Sequence, residues 1–430
     1  MNHKGRINNI MTMNLKVRLA LMNFLEFAAW GAYLTSMGRY LGDIGMGADI
    51  GYFYSIQGIV SLFMPAIIGV VADRWVPAQR MLGFCHLLAG VFMVALAQYC
   101  FVTGWEHISP AMVYFLYTMS VAFYMPTLAL SNSVAFNALQ RVGMDTVKVF
   151  PTIRVFGTVG FIVMMWLVDI MGFEVTEMQF MTSGIVSFVL FLYSFSLPLC
   201  PVVSGSEKRS LAKAFGIDAF SLFKQKEMAL FFIFSMLLGV SLQITNGFAN
   251  PFISSFETIP EYADTFCVKH TNILISVSQI SETLGILLIP FFMKRFGIKN
   301  VMLIAMIAWV LRFGLFGLGT PDNGLFLLSM IVYGVAFDFF NISGSCYVDQ
   351  NTDKKMRSSA QGLFVLMTNG IGATVGTIAA QKVVNTYTAT VDYGDYSFLV
   401  GDWSTVWFIF AGYALAVAIA FAFVFRPKRV

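Results

Sequence analysis

Charge is scarce in this chain of 430 residues: Asp, Glu, Lys and Arg together supply 12%, roughly half of what a soluble domain carries. With 58% hydrophobic residues and a mean hydropathy of +0.74, that shortage excludes a string of soluble domains. Metal-site and disulfide signatures are missing too. The five cysteines (Cys85, Cys100, Cys200, Cys267 and Cys346) stand far apart, form no C-x-x-C and pair with no His at metal-ligand spacing. Four lie in or beside apolar stretches and read as small hydrophobes. Cys267, in an external loop, has no second external cysteine to bond. A nucleophile, metal cluster or general-base pair of the kind an enzyme needs is absent, and nothing calls for a cofactor. The small basic excess, 27 against 23, is too slight for a nucleic-acid partner. The apolar run after Arg18 is too long for a cleavable signal and continues into a full span.

What remains is long apolar helices and their polar exceptions. Runs broken by charge or Pro/Gly give twelve segments, at 15–41, 49–73, 79–101, 110–138, 150–171, 178–199, 227–250, 269–293, 299–318, 324–347, 358–382 and 403–425. At about 20 or more residues each they leave only loops and tails, so the expected partner is the lipid bilayer. The basic residues test this division independently. With both termini in the cytoplasm, the tails, the inside loops and the span ends beside them hold 22 of them; the outside loops and the span ends beside them hold Arg39, Lys269 and Lys382; Arg154 and Arg312 are left inside spans. That asymmetry follows the positive-inside rule.

The longest inside connection, 200–226, separates an N-terminal six-helix half (1–199) from a C-terminal one (227–430). Its part from Leu211 to Phe223 has apolar residues at helical spacing and is expected along the membrane surface. The halves echo each other. A cytoplasmic loop motif, Gly69-x-x-x-Asp73-Arg74-x5-Arg80, expected to gate through ion pairs, corresponds to Lys294-Arg295-Phe296-Gly297-Ile298-Lys299. Gly157-Thr158-Val159-Gly160 in span 5 corresponds to Ala373-Thr374-Val375-Gly376 in span 11. Two six-helix repeats point to an all-α integral membrane protein with the major facilitator architecture, and nothing demands more than a monomer.

Five ionisable residues lie well inside spans: Glu26, Arg154, Glu282, Arg312 and Asp338. Each costs roughly 2.5–3.5 kcal/mol at a helix centre, so they are expected to face one another or a wet cavity. Three acids exceed two bases, and a desolvated carboxylate holds protons readily; Glu26, Glu282 and Asp338 are therefore candidates for a coupling proton. Arg312, toward the outer end of span 9, is expected to snorkel and serve structure. Neutral polar groups gather near the others at helical spacing: Gln243, Asn246 and Asn250 as one stripe in span 7, Gln279 beside Glu282 in span 8, Tyr333, Phe337, Asp338 and Asn341 in span 10, and Arg154, Thr158 and Phe161 in span 5. Such groups also bond neighbouring helices for packing alone. Together they suit a small neutral ligand with hydroxyls and a flat ring. Pro126 reads as a packing kink, and His86 and His107, placed near the membrane boundaries, receive no role.

These residues carry a resemblance. Phe27-Ala28-Ala29-Trp30-Gly31, Tyr124-Met125-Pro126-Thr127-Leu128, Phe150-Pro151-Thr152-Ile153-Arg154, Leu242-Gln243-Ile244-Thr245-Asn246, Ser278-Gln279-Ile280-Ser281-Glu282-Thr283 and Tyr333-Gly334-Val335-Ala336-Phe337-Asp338-Phe339-Phe340-Asn341 resemble, in order and over almost the whole chain, the bacterial nucleoside:H+ symporter family, in its nucleoside and xanthosine permease branch. The resemblance implies proton-driven uptake of purine and pyrimidine nucleosides across the inner membrane. It also implies binding residues at Arg154, Thr158, Phe161, Gln243, Asn246, Gln279, Glu282, Tyr333, Phe337 and Asp338. On this reading Arg154 holds a carboxylate, Asp338, and Glu282 carries or senses the proton. Glu26 departs from the family pattern, which has Gln there; the extra carboxylate bears on coupling or selectivity. A sugar or drug carrier of the same fold, or a receptor that binds nucleoside without transporting it, stays open as an alternative.

Overall fold

The computed structural model describes residues 3–104, 107–200, 217–353, 356–394 and 396–426. Long apolar runs become helices because only a helix satisfies its backbone donors and acceptors within a single segment in hydrocarbon. Among the described residues nine helices are long and apolar enough to cross a bilayer. The helix Thr271–Leu318 accounts for two of the expected spans, since Gly297, at φ 75°, interrupts its 48 residues at the expected loop. Met178–Ser194 is shorter, at 17 residues, and His3–Gly31 fills most of the first expected span. Helix thus occupies each of the twelve segments. The surface-helix reading of Leu211 to Phe223 falls partly outside the described residues; from Ile217 to Lys224 the chain forms 3-10 turns.

Three spans are not plain rods. Span 1, expected to be continuous, stops at Gly31, turns through 32–36 and resumes as Met37–Asp43. Glycine is a weak helix former, and Thr35 gives its hydroxyl to Asn272 Oδ1 at 2.8 Å instead of its own helix. Span 7 is divided at Gln243 into Lys226–Leu242 and Ile244–Ser254. Span 11 passes through a π-helical stretch, Leu366–Gly372, a widening that is frequent at functional positions.

The chain packs into two compact units: Met1–Leu34 with Phe63–Ala214, and Thr35–Leu62 with Phe215–Val430. In the first, Leu19, Met22, Leu82, Cys85, Val134, Ala138, Leu139 and Leu190 form a closed apolar core. The related motifs of spans 5 and 11 make equivalent contacts, each inside its own unit. A Cβ on Gly160 would collide with the backbone of Phe24 in span 1; a Cβ on Gly376 would collide with the backbone of Val240 in span 7. Close backbone approach through small residues is how membrane helices gain packing energy without a hydrophobic drive. The sequence echo therefore marks one packing solution used twice.

The fold is nearly but not wholly helical. In the expected loop between spans 11 and 12, Thr388–Asp392 pairs antiparallel with Ser397–Gly401, in the register Thr388↔Gly401 to Asp392↔Ser397. Phe398 and Leu399 are buried, and the Gly394 N–H donates to Asp392 Oδ1 at 2.8 Å. The β-branched run Thr388-Ala389-Thr390-Val391 is the signal that reading for helices passes over.

Candidate functional site

In the first unit, the span 1–span 5 contact brings the candidate residues of span 5 against an aromatic wall. The Arg154 guanidinium lies 3.8 Å from the centroid of the Phe27 ring. Phe161, 6% exposed, meets Trp30 edge-on at 6.2 Å, and Trp30 lies 5.9 Å from Tyr124. Arg154 and Thr158, one turn apart, are both half-buried on that side. Glu26 points elsewhere, toward spans 3 and 4. Its Oε2 is 2.9 Å from His86 Nε2, both side chains are fully buried, and Thr127 Oγ1 is 2.5 Å from its Oε1. His86, given no role from the sequence, is thus a buried residue bonded to an acid. Counting three acids against two bases had left that histidine out.

In the second unit, span 10 stacks Tyr333 on Phe337 (5.4 Å between centroids, 17° between planes). Trp309 of span 9 meets Tyr333 edge-on at 5.9 Å. Arg312 does not snorkel. It is 2% exposed, donates from Nη1 to the Ser329 carbonyl at 2.8 Å, and sits 4.5 Å from the centroid of Tyr333. Desolvation strengthens such a cation–π contact, so Arg312 clamps the ring of a candidate ligand residue from behind. Glu282, half-buried, and Asp338, 5% exposed, lie within electrostatic reach of the same Tyr333 phenol.

The amide stripe of span 7 divides in two. Asn246 donates from Nδ2 to Gln243 Oε1 at 2.8 Å; both are half-buried, and Gln243 occupies the break in the helix. Asn250 is fully buried in a separate network: Ser254 donates to its Oδ1 at 2.9 Å, and its Nδ2 donates to Asn272 Oδ1 at 3.4 Å. Gln279 and Glu282 share one half-buried face of span 8. The structure thus gathers Gln243 with Asn246, and Tyr333 with Phe337, Arg312, Glu282 and Asp338; it sends Glu26 and Asn250 into interior networks.

Of the loop motif, Gly69 has open space around its Cα and Arg80 is exposed near the start of the helix Ala78–Thr103. The side chains of Asp73 and Arg74 lie outside the described residues. Just past residue 41, where span 1 is expected to end, Asp43 is the acid with the largest shift resolved outside the expected spans among the described residues. Burial pushes its carboxyl up to about 7, against the pull of Arg39, whose Nε is 3.4 Å away. Arg39 also reaches Glu257 at 3.5 Å and lies 3.9 Å from the centroid of Phe398 in the hairpin. Sequence reading missed this cluster; an arginine followed by an acid four residues later was its signal.

Comparison with known proteins identifies the family and agrees with the fold. Residues 13–430 match the family model described as Nucleoside H+ symporter. The nucleoside permease NupG of Escherichia coli K12 is 46% identical over 423 residues, 97% of each chain. The xanthosine permease of the same organism is 47% identical over 428 residues, 97% of this chain and 98% of that one. The crystal structure of NupG superposes with a TM-score of 0.86 at 45% identity, covering 96% of this chain and all of the other. The inward-open xylose transporter XylE of E. coli, at 14% identity, TM-score 0.65 and 97% coverage of both chains, shares the fold alone, that of the major facilitator carriers. These relatives are permeases and transporters, not enzymes, and the chain belongs to the nucleoside H+ symporter family.

Proposed function

We propose that this multi-pass protein of the bacterial inner membrane imports nucleosides together with protons by alternating access. The observation that carries the reading is the composition of the second unit's candidate surface. A stacked Tyr333–Phe337 pair offers a flat apolar face for a base. The mutually bonded amides of Gln243 and Asn246 can exchange their bond for ribose hydroxyls or base edges. Gln279 adds a further amide; within the first unit, Arg154, Thr158 and Phe161 are the residues proposed to bind ligand. Glu282, beside Gln279 on the same half-buried face, is the acid proposed to take the coupling proton, with Asp338 as its neighbour around Tyr333. The bending halves are taken as 1–199 and 227–430, joined by 200–226, with both termini in the cytoplasm and a single chain as the working unit.

The test is uptake of radiolabelled uridine, adenosine and xanthosine into proteoliposomes under an imposed pH gradient, with and without sodium. Accumulation that follows the pH gradient, ignores sodium, and is competed by nucleosides but not by hexoses or lipophilic cations supports the proposal. Competition by hexoses or lipophilic cations instead makes the chain a carrier of another solute. Binding without counterflow of labelled nucleoside makes it a receptor. Gln243→Ala and Asn246→Ala are expected to weaken uridine binding roughly five- to tenfold, the loss of about one hydrogen bond each.

A further inference from the structure

We propose that Glu26 is a second proton-binding site, inside the first unit, built from Glu26, His86 and Thr127 and separate from the Glu282 site. All three side chains are fully buried. Three hydrogen-bond facts define the site. His86 Nε2 is 2.9 Å from Glu26 Oε2. His86 Nδ1 is buried and has no hydrogen-bond partner among the described residues. Thr127 Oγ1 is 2.5 Å from Glu26 Oε1 and also 2.5 Å from the Tyr124 carbonyl.

The partnerless Nδ1 fixes the histidine. An imidazolium would bury a second N–H with nothing to accept it, the costly kind of omission, whereas a bare lone pair costs less. His86 is therefore the neutral tautomer with its hydrogen on Nε2, donating to Glu26 Oε2. Thr127 then makes both states of Glu26 possible. When Glu26 is ionised, the Thr127 hydroxyl donates to Oε1. When a proton arrives, an O–H bond forms on Glu26 Oε1 and donates to Thr127 Oγ1, and the threonine hydroxyl turns to donate to the Tyr124 carbonyl. Every donor has an acceptor in either state. One proton is gained, and no heavy atom has to leave its place.

The groups around Glu26 do not compete for that role. Span 3 supplies Cys85 and His86, span 4 supplies Tyr124 and Thr127, and span 1 itself contributes Asn23, whose Nδ2 donates to the Leu19 carbonyl at 3.0 Å. Arg154 and Tyr33 lie within electrostatic reach of Tyr124. The Arg154 guanidinium itself is spread over Phe27. The site also has a line to the ligand side. Tyr124 donates its hydroxyl to the Glu26 backbone carbonyl at 2.8 Å, and Tyr124, Trp30 and Phe161 touch in sequence.

The transport consequence rests on the symport reading above; protonation of Glu26 does not. The experiment is therefore pH-difference infrared spectroscopy on the purified full chain, with proteoliposome uptake alongside. A protonated-carboxyl C=O band that appears on acidification, is lost in Glu26→Gln, is kept in Glu282→Gln, and shifts in Thr127→Val but not in Thr127→Ser supports the site. A spectrum unchanged by Glu26→Gln, or a Thr127→Val band at the parent position, overturns it. In uptake, Glu26→Gln is expected to change the pH dependence of the nucleoside KM while counterflow persists. If the infrared result holds and the parent chain transports no nucleoside, the transport reading fails and the proton site stands.

Discussion

Replacing Asp43 by Asn tests whether a buried charge near the hairpin is a liability that the protein sheds by binding a proton. Asp43 is 9% exposed, and neither of its carboxylate oxygens has a hydrogen-bond partner among the described residues. Its carboxyl is held up to about 7 from an ordinary 3.8. A shift of that size corresponds to about 4 kcal/mol between the charged and neutral forms. The folded state binds the proton more tightly than the unfolded chain does, so this stabilisation is complete below pH 3.8 and is lost as pH rises through about 7. Asparagine mimics the protonated acid at every pH. Below about pH 3.8 the two proteins should therefore melt nearly together; at pH 5 Asp43→Asn should already be the more stable by about 1.6 kcal/mol, and toward pH 8 by at most about 4 kcal/mol. With roughly 2 °C per kcal/mol for a unit of this size, the Tm difference should open by up to about 8 °C. The assay is intrinsic-fluorescence melting in detergent at closely spaced pH values and one scan rate, since unfolding of such proteins is read as an apparent Tm. A Tm difference that does not change from about pH 5 to about pH 8, or one that favours the parent at alkaline pH, refutes the reasoning and makes the Arg39–Asp43 ion pair the dominant contact.

Gly376→Val is expected to lower folded yield and apparent Tm sharply, because the added carbons meet the Val240 backbone; Gly412→Val, where the surroundings are open, serves as the control in size-exclusion chromatography. Tyr333→Leu removes the stacked partner of Phe337, and a stack worth about 1.4 kcal/mol predicts a roughly tenfold rise in nucleoside KM in uptake assays. Glu282→Gln should abolish pH-driven accumulation while retaining counterflow, measured with the same vesicles with and without a gradient.

Much of the fold is legible in the sequence because hydrocarbon leaves a chain so few choices: apolar runs must be helices, and lysine and arginine avoid crossing. The repeat was legible for a related reason. Gly160 and Gly376 are needed wherever two backbones touch, and that need survives in both halves. Side-chain direction was not legible. Glu26, Asn250 and Arg312 share the polar character of Glu282 and Gln243, and only the neighbours they meet (His86, Asn272 and the Ser329 carbonyl) separate an interior network from a half-open face. Helical periodicity places a residue on a stripe but does not say which helix will lie across from it. The breaks at residues 32–36 and at Gln243 escaped for a similar reason, since they depend on partners distant in the chain, such as Asn272 for Thr35.

Gly239 lies against the backbone of Thr368, and Gly372 lies against the backbones of Met236 and Gly239, so the first part of span 7 and the π turn of span 11 meet main chain to main chain. Side chains between helices act as springs, taking up small displacements by hopping between rotamers. Here there are none to compress. Flexing at the Gln243 joint is therefore passed directly to Leu366–Gly372, and the two segments form one lever whose pivot is Gln243, the amide proposed above as a ligand contact.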